Sequence, residues 1–188
     1  MSRGNYSAYD LEGRRKYLTR EEGRRFLKCA RKLDRAEALF CKTVYYTGIR
    51  ISEALALTAQ DVDHASGAVR VRSLKKREHR EFRRIPVPDS LVSGLRQLAA
   101  EKSENPLWTL SRTTGWRVIK RVMHEAQIAG IHATPKGLRH AFGVRGAIAG
   151  VPLNLLQNWF GHAQPTTTAI YLAVKDDEER ALMKRTWK

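Results

Sequence analysis

Gly67-Ala68-Val69-Arg70-Val71-Arg72 alternates apolar and basic side chains from Val69 onward, which is typical of a β-strand with one buried face. Phe82-Arg83-Arg84-Ile85-Pro86-Val87 is predicted to be its partner, because it is rich in residues that favour strands and is bounded by a polar connection. The pair predicts an antiparallel hairpin whose connection, residues 73–81, is densely charged. A solvated, charged edge ribbon would explain this density, but so many cations on one short ribbon favour contact with phosphate.

Helices are predicted on both sides of this hairpin. Thr19 and Glu22 have the spacing of a capping box, Gly48 is a suitable residue to end a helix, and Pro135 is well placed at a helix start. The predicted helices cover about residues 19–30, 34–46, 49–57, 89–101, 113–129, 135–149, 152–160, 165–174 and 176–188. The predicted fold class is therefore mainly α with a small antiparallel β-sheet (α+β).

Composition narrows the function classes. The 188 residues carry a net charge of +16, and 42% are hydrophobic, enough for a folded core. We expect no membrane span, because no apolar run reaches the length of about 18 residues that a span needs. Two cysteines form neither a disulfide framework nor a zinc site by themselves. A domain this basic most often meets nucleic acid, but charge alone does not separate a DNA enzyme from a DNA-binding module or a ribosomal protein.

Three separated segments concentrate polar side chains. They are Tyr46-Thr47-Gly48-Ile49-Arg50-Ile51-Ser52-Glu53, Thr134-Pro135-Lys136-Gly137-Leu138-Arg139-His140, and residues 158–171 with a Gly161-His162 turn and Tyr171 on the next helix. Taken singly, each has an ordinary structural interpretation: a surface ion pair, a basic first turn, a hydrogen-bonded turn histidine and a core tyrosine.

Taken in order, the three segments resemble the active-site boxes of the tyrosine recombinases, or phage-type integrases. The basic hairpin lies between the first two boxes, where that family carries its catalytic lysine. The resemblance extends over about residues 18–174 and implies the tyrosine recombinase catalytic-domain fold.

The resemblance implies a specific chemistry. A tyrosine hydroxyl attacks a DNA phosphodiester, forms a 3′-phosphotyrosine and frees a 5′-hydroxyl, and another strand's 5′-hydroxyl reverses the step. Bond energy stays in the covalent link, so no ATP or other cofactor is expected. No metal is expected either, since arginines supply the positive charge; the sequence also lacks a Walker-type glycine loop and an HExxH motif.

Residue roles follow from the resemblance together with chemistry. Arg50 and Arg139 are expected to grip the non-bridging oxygens of the scissile phosphate, a task that suits guanidinium forks. Tyr171 is expected to be the nucleophile. His162 would hydrogen-bond the phosphate, and Glu53 would orient Arg50.

A hairpin lysine would protonate the leaving 5′-oxygen as general acid. Lys75 is favoured over Lys76, because the connection is longer than usual and the first lysine aligns better. The hairpin cations also include Arg70, Arg83 and Arg84, and four others are expected to contact DNA; they are Arg72, Lys76, Arg77 and Arg80.

One position departs from the usual family pattern. The residue three before the second arginine is usually histidine in this family, and here it is Lys136. A charged lysine cannot accept the tyrosine proton, so Lys136 is expected to add positive charge at the phosphate and to lower the pKa of the tyrosine. His140, next to Arg139, is expected to point elsewhere and to be structural.

The predicted organisation is a flexible lead-in over 1–17, a catalytic domain over 18–174 and a helical tail over 175–188, which either folds back on its own domain or is exchanged between protomers. Family members usually carry a preceding helical DNA-clamping domain, so the chain is either the catalytic piece of a longer protein or a naturally short recombinase. The expected partners are duplex DNA and accessory DNA-bending proteins. Copies of the chain are expected to form a homo-oligomer on DNA, namely a tetramer. The expected location is the bacterial cytoplasm, with a phage or plasmid context.

Two alternatives stay open from the sequence. A non-catalytic DNA-binding module could keep the same fold, and a type IB topoisomerase shares the chemistry but rejoins the same strand. A basic ribosomal or RNA-binding protein fits poorly, because it would have no need for ordered catalytic boxes.

Overall fold

The computed structural model describes residues 7–73, 81–101, 106–172 and 183–184. The elements in chain order are α1 (Arg20–Ala30), α2 (Arg35–Thr47), α3 (Ile51–Leu55), a 3-10 turn (Ala59–Asp61), β1 (Val62–Asp63), β2 (Ala68–Arg72), β3 (Phe82–Pro86), α4 (Asp89–Ala100), α5 (Arg112–Glu125), α6 (Pro135–Ile148), α7 (Leu153–Phe160) and α8 (Thr166–Ala169). This arrangement confirms the predicted fold class of helices around a small antiparallel sheet.

Local capping explains where the first helices begin and end. The Thr19 side chain accepts from the Glu22 backbone N–H, and the Glu22 carboxylate accepts from the Thr19 backbone N–H, so the predicted capping box is present. Asp34 caps α2 with its side chain. Gly48 ends α2 in the left-handed conformation with φ of 61°, which glycine adopts without a steric penalty.

The sheet has three strands in the order β1-β2-β3, one more than the sequence predicted. Strand β1 is only two residues long, too short for a period-two pattern to reveal it. In the β2–β3 pair Val69 lies opposite Ile85 and Val71 lies opposite Arg83. All four side chains are buried, so Arg83 occupies a position where the alternation calls for an apolar residue.

The core is centred on α2, which packs against α1, α4, α5 and α6. Phe40 of α2 meets Trp108 edge-to-face with ring centroids 5.4 Å apart, and the Trp108 indole N–H donates to the Ala54 carbonyl at 2.7 Å. The packing of α6 on α2 matters most for function, because it brings the second polar box beside the first. No helix among the described residues has the length and apolar character needed to cross a bilayer.

Several sequence expectations differ from the structure, among them α3, which was predicted over 49–57 and spans Ile51–Leu55. Residues 7–17, predicted as part of a flexible lead-in, pack on the domain: Ala8 and Tyr17 are buried, and Arg15 pairs with Glu22 through two hydrogen bonds of 2.5 and 2.6 Å. Helix α5 is capped by Ser111, earlier than predicted. Helix α8 is shorter than predicted. Of the predicted tail helix only residues 183–184 are described.

Candidate active site

The turn between α2 and α3 presents Arg50. Arg50 is the N-terminal cap of α3, and its backbone N–H donates to the Glu53 carboxylate at 2.8 Å. Its guanidinium also donates to Glu53, at 3.1 Å, and a third of the Arg50 side chain stays exposed. A Cβ on Gly48 would lie 2.6 Å from the Phe142 ring, so the left-handed turn and this close approach both require glycine. The turn therefore fixes where Arg50 emerges.

Glu53 is held from a second side. Arg83 of β3 donates to the Glu53 carboxylate at 2.7 Å and to the Trp159 carbonyl at 2.7 Å. The side chains of Glu53 and Arg83 are only 2% and 5% exposed, so this ion pair is shielded from water. Sequence reasoning counted Arg83 among the general hairpin cations. Its place in the inward-facing register with Ile85 was the signal that it is buried.

Arg139 links all three polar boxes. Thr134 caps α6 with its side chain, and Arg139 lies one turn inside the helix. Its guanidinium donates to the Gly48 carbonyl at 2.7 Å and to the Phe160 carbonyl at 2.9 Å, and it lies over the Phe160 ring at 4.6 Å. Burial, assisted by the nearby charge of Arg50, lowers the pKa of Arg139 to about 10, so it remains a cation at neutral pH.

His162 follows α7 and contacts Arg139. Its Nε2 lies 3.0 Å from an Arg139 guanidinium nitrogen, and its Nδ1 lies 2.9 Å from the Thr168 hydroxyl. An arginine only donates, so Nε2 accepts and Nδ1 carries the proton that it donates to Thr168. Burial, then the charges of Arg139 and Arg50, lower the pKa of His162 to about 3, which keeps this ring neutral.

Tyr171 lies just after α8, with its ring in a tight slot. The ring stacks on Phe160 at 5.1 Å and is 2% exposed. A Cβ on Gly143 of α6 would come within 2.6 Å of the ring, so glycine makes room for it. Burial raises the pKa of Tyr171 to about 12, and the Arg139 charge acts in the opposite direction.

His140 differs from the sequence expectation. It was expected to point away from the site, but its Nδ1 lies 3.2 Å from the Tyr171 hydroxyl. Burial, then the charges of Lys136, Lys16 and Arg139, lower the pKa of His140 to about 4. A residue directly after an inward-pointing arginine is rotated by a quarter-turn or more on a helix, and the fold places Tyr171 on that side.

An open cleft of about 600 Å³ joins these groups. Its polar lining includes Arg50, Lys136, Arg139, His140, His162 and Tyr171. Lys16 also lines it, and sequence reasoning missed it because the preceding residues look like a polar lead-in. The cleft combines cations, two neutral imidazoles and one phenol, a set that suits a phosphate oxyanion and a hydroxyl nucleophile.

The hairpin base borders this site. Ser73 and Glu81 are joined by a backbone hydrogen bond of 2.9 Å and line a second cleft together with Arg50 and His162. Arg72, at the end of β2, is exposed. The candidates Lys75, Lys76, Arg77 and Arg80 lie outside the described residues.

Metal binding finds no support in the described part of the chain. No group of three or more His, Cys, Asp or Glu side chains there is arranged to hold a metal ion.

Comparison with known proteins gives the context of this cleft. Residues 16–178 match the model described as "Phage integrase family". The tyrosine recombinase XerA of Pyrococcus furiosus is 29% identical over 182 residues, which span 88% of this chain and 62% of that protein. The tyrosine recombinase XerC of Chromobacterium violaceum is 29% identical over 176 residues, 89% of this chain and 56% of that protein. The chain thus spans about three fifths of the length of these relatives.

Solved structures share the fold. A crystal structure of XerA recombinase superposes with a TM-score of 0.79 at 24% identity, over 92% of this chain and 65% of that one. The XerH site-specific recombinase bound to difH substrate gives 0.75 at 19% identity, over 96% and 60%. The catalytic domain of bacteriophage HP1 integrase gives 0.67 at 20% identity, over 89% and 93%.

Proposed function

Because this chain belongs to the phage integrase family, we propose that it is a site-specific DNA recombinase that breaks and rejoins duplex DNA through a 3′-phosphotyrosine link. The observation that carries the proposal is the Arg139 guanidinium, which ties the Gly48 turn to the end of α7 in the cleft that Tyr171 lines. Two arginines, a neutral histidine and a tyrosine on separate segments have no shared structural need to converge. A phosphate that is bound by the arginines and the histidine and attacked by the tyrosine would explain why these side chains converge.

Arg50 and Arg139 bind the non-bridging oxygens of the scissile phosphate. Each has donors left after its protein contacts, since a guanidinium carries five N–H groups and these two use only some of them on Glu53 and on carbonyls. Their charges stabilise the negative charge that builds on these oxygens in the transition state. His162 Nε2 lies beside Arg139 and hydrogen-bonds the phosphate after taking up a proton, because the bound anion offsets the charges of Arg139 and Arg50 that lower the pKa of this ring.

Tyr171 attacks phosphorus and the 5′-oxygen leaves. Lys75 protonates that oxygen as general acid. The proximity of Ser73, two residues earlier, to the cleft that Arg50 and His162 line supports this assignment. Lys136 adds positive charge at the phosphate. No ATP takes part, since the phosphotyrosine link conserves the energy of the broken bond, and the arginines supply the positive charge that a metal ion would otherwise provide.

Glu53 positions Arg50 by accepting from both its backbone N–H and its guanidinium. Four hairpin cations are assigned to hold the duplex backbone without reading its sequence. They are Arg72, Lys76, Arg77 and Arg80.

The assembly is proposed to form on DNA. Recombination between two duplexes cuts and rejoins four strands, each through one tyrosine, so a tetramer on two duplexes, assisted by DNA-bending proteins, is the expected working unit. We assign residues 18–174 to the catalytic domain and residues 175–188 to a tail exchanged between protomers. The XerH structure bound to difH substrate and a Tn1549 integrase in complex with transposon right end DNA support duplex DNA as the partner.

Covalent capture tests the function. The protein is incubated with nicked suicide duplexes of randomised sequence, in which the strand beyond the cut diffuses away, and SDS-resistant protein–DNA adducts are isolated and sequenced. We expect one enriched sequence and no adduct with Tyr171→Phe. Tyr46→Phe is the matched control, because this tyrosine does not line the cleft and should leave adduct formation unchanged. DNA binding without any adduct across the whole library would favour a non-catalytic binding module.

A further inference from the structure

His140 lies against the hydroxyl of Tyr171. The Tyr171 oxygen and His140 Nδ1 are 3.2 Å apart, and the two rings meet at 62° with centroids 5.8 Å apart. A phenol donates a hydrogen bond more readily than it accepts one, so this contact assigns the proton to the tyrosine and the lone pair to Nδ1. The other ring nitrogen, Nε2, then carries the imidazole proton.

That second nitrogen has no hydrogen-bond partner among the described residues, although it is buried. A buried polar atom without a partner destabilises the fold, because its desolvation is not offset. Such an atom therefore needs a reason to be where it is. A functional reason is available here, since the same ring's Nδ1 contacts the nucleophile.

His140 is better placed than its neighbours Lys136 and His162 to accept the proton of Tyr171. Lys136 lies one turn earlier on α6 and, as an ammonium, has no lone pair to accept a proton. His162 uses Nε2 on Arg139 and Nδ1 on Thr168. Among the described groups that line the cleft, His140 is the neutral imidazole whose free lone pair faces the phenol.

We propose that His140 is a catalytic residue whose Nδ1 takes the hydroxyl proton of Tyr171 as the tyrosine attacks the scissile phosphate. This inference rests on the proposed function. The O–H bond of Tyr171 breaks and an N–H bond forms on Nδ1 of His140. The tyrosine oxygen bonds phosphorus, and the 5′-oxygen leaves with a proton from Lys75. In the reverse step the 5′-hydroxyl attacks and His140 returns the proton to Tyr171.

The charges around His140 explain why the proton of Tyr171 is transferred only when DNA is bound. The pKa of His140 is lowered to about 4 and that of Tyr171 is raised to about 12, so the proton rests on the tyrosine. After burial, the causes of the low His140 pKa are the cations Lys136, Lys16 and Arg139. A phosphodiester bound among these cations offsets their field and strengthens the base. Proton transfer then accompanies attack, and no free phenolate forms.

A substitution at His140 distinguishes a residue that accepts the proton of Tyr171 from one that only holds the hydroxyl in place. In His140→Asn the amide oxygen can occupy the position of Nδ1 and accept the same hydrogen bond, but an amide does not take up a proton. We expect single-turnover cleavage of the captured suicide duplex to slow by about 10²–10⁴-fold, the usual contribution of a general base. The rate of this variant should rise with pH where the wild-type rate is flat, because hydroxide must then remove the proton.

Controls keep the outcomes distinct. His132→Asn removes another largely buried imidazole, outside the cleft, and reports the cost of that loss alone. A His140→Asn rate within about threefold of wild type, with the same pH profile, would overturn the inference and leave the proposed function intact. A wild-type protein that forms no adduct would refute the proposed function, and this inference falls with it.

A measurement on the unmodified protein removes any dependence on the folding of variants. Nitrogen-15 NMR of labelled histidine side chains reports which ring nitrogen carries the proton. Between pH 6 and 8 we expect His140 to be neutral with the proton on Nε2 and a free lone pair on Nδ1. A proton on Nδ1, or an imidazolium in that range, would contradict the proposal whatever the activity of the variants.

Discussion

Replacing Arg83 with methionine tests whether the buried ion pair between Arg83 and Glu53 stabilises the domain and holds Glu53 in place. The substitution keeps the apolar stem of the side chain and removes the cation that donates to Glu53 and to the Trp159 carbonyl, both at 2.7 Å. The Glu53 carboxylate, 2% exposed, would then lose its shielded partner. It would keep only the two contacts from Arg50.

The structure sets the expected magnitude. Removal of one partner from a buried ion pair costs about 3–5 kcal/mol of unfolding free energy, because a charge stays buried without compensation. The Arg50 contacts that remain place Arg83→Met near the lower end, at about 3 kcal/mol. With a urea dependence of about 2 kcal/mol per molar for a small domain, the unfolding midpoint should fall by about 1.5 M.

Urea unfolding followed by circular dichroism measures this loss, and Arg84→Met is the matched control. Arg84 is the next residue on β3, points to the opposite face and pairs with Asp63 while 57% exposed, so its removal should cost about 0–1 kcal/mol. A double-mutant cycle with Glu53→Gln should give a coupling energy above about 1 kcal/mol. Equal losses for Arg83→Met and Arg84→Met would refute the view that the buried pair holds Glu53 in place.

Three further outcomes follow from the same geometry. Gly143→Ala should slow adduct formation on the suicide duplex by more than tenfold while DNA binding persists, because the new Cβ would lie 2.6 Å from the Tyr171 ring; an unchanged rate would contradict the tight slot. The unfolding free energy should fall as pH drops from about 6.5 toward 4 and stay level just above 6.5, since the pKa values of His140 and His162 are lowered on folding and the unfolded chain binds those protons first; thermal melts across this range check it, and a loss that begins only below pH 4 would contradict it. Arg72→Ala should reduce the slope of log affinity against log salt by about 0.9 in gel-shift titrations, the effect of one phosphate contact, whereas an unchanged slope would remove Arg72 from the DNA surface.

Local signals predicted the fold well where they are self-contained. The capping box of Thr19 and Glu22 and the left-handed Gly48 depend on backbone chemistry within a few residues, and both are found in the structure. The sequence predicted that α5 begins at about residue 113, whereas Ser111 caps the helix earlier. Strand β1 exists only through its pairing with β2, which no local pattern encodes.

The site likewise contains residues that the sequence predicted and residues that only tertiary packing reveals. Arg50, Arg139, His162 and Tyr171 were predicted from ordered boxes, and the structure brings their side chains to one cleft. His140 was missed because helical geometry alone rotates it away from Arg139, and only the packing of the segment after α8 on α6 shows what it meets.

Lys16 and Arg83 were missed for a similar reason. Each looks like one more cation in a basic stretch, and its role depends on burial or on a neighbour distant in sequence. Lys16 reaches the cleft because residues 7–17 pack on the domain, and Arg83 reaches Glu53 because the period-two register turns it inward.

The central claim is that Tyr171 becomes covalently joined to DNA. Captured adducts can be digested with nuclease and protease, and the modified peptide sequenced by mass spectrometry. We expect a nucleotide 3′-phosphate on the hydroxyl of Tyr171, with a free 5′-hydroxyl on the released strand. A phosphate on any other side chain, or a 5′-linked nucleotide, would contradict it.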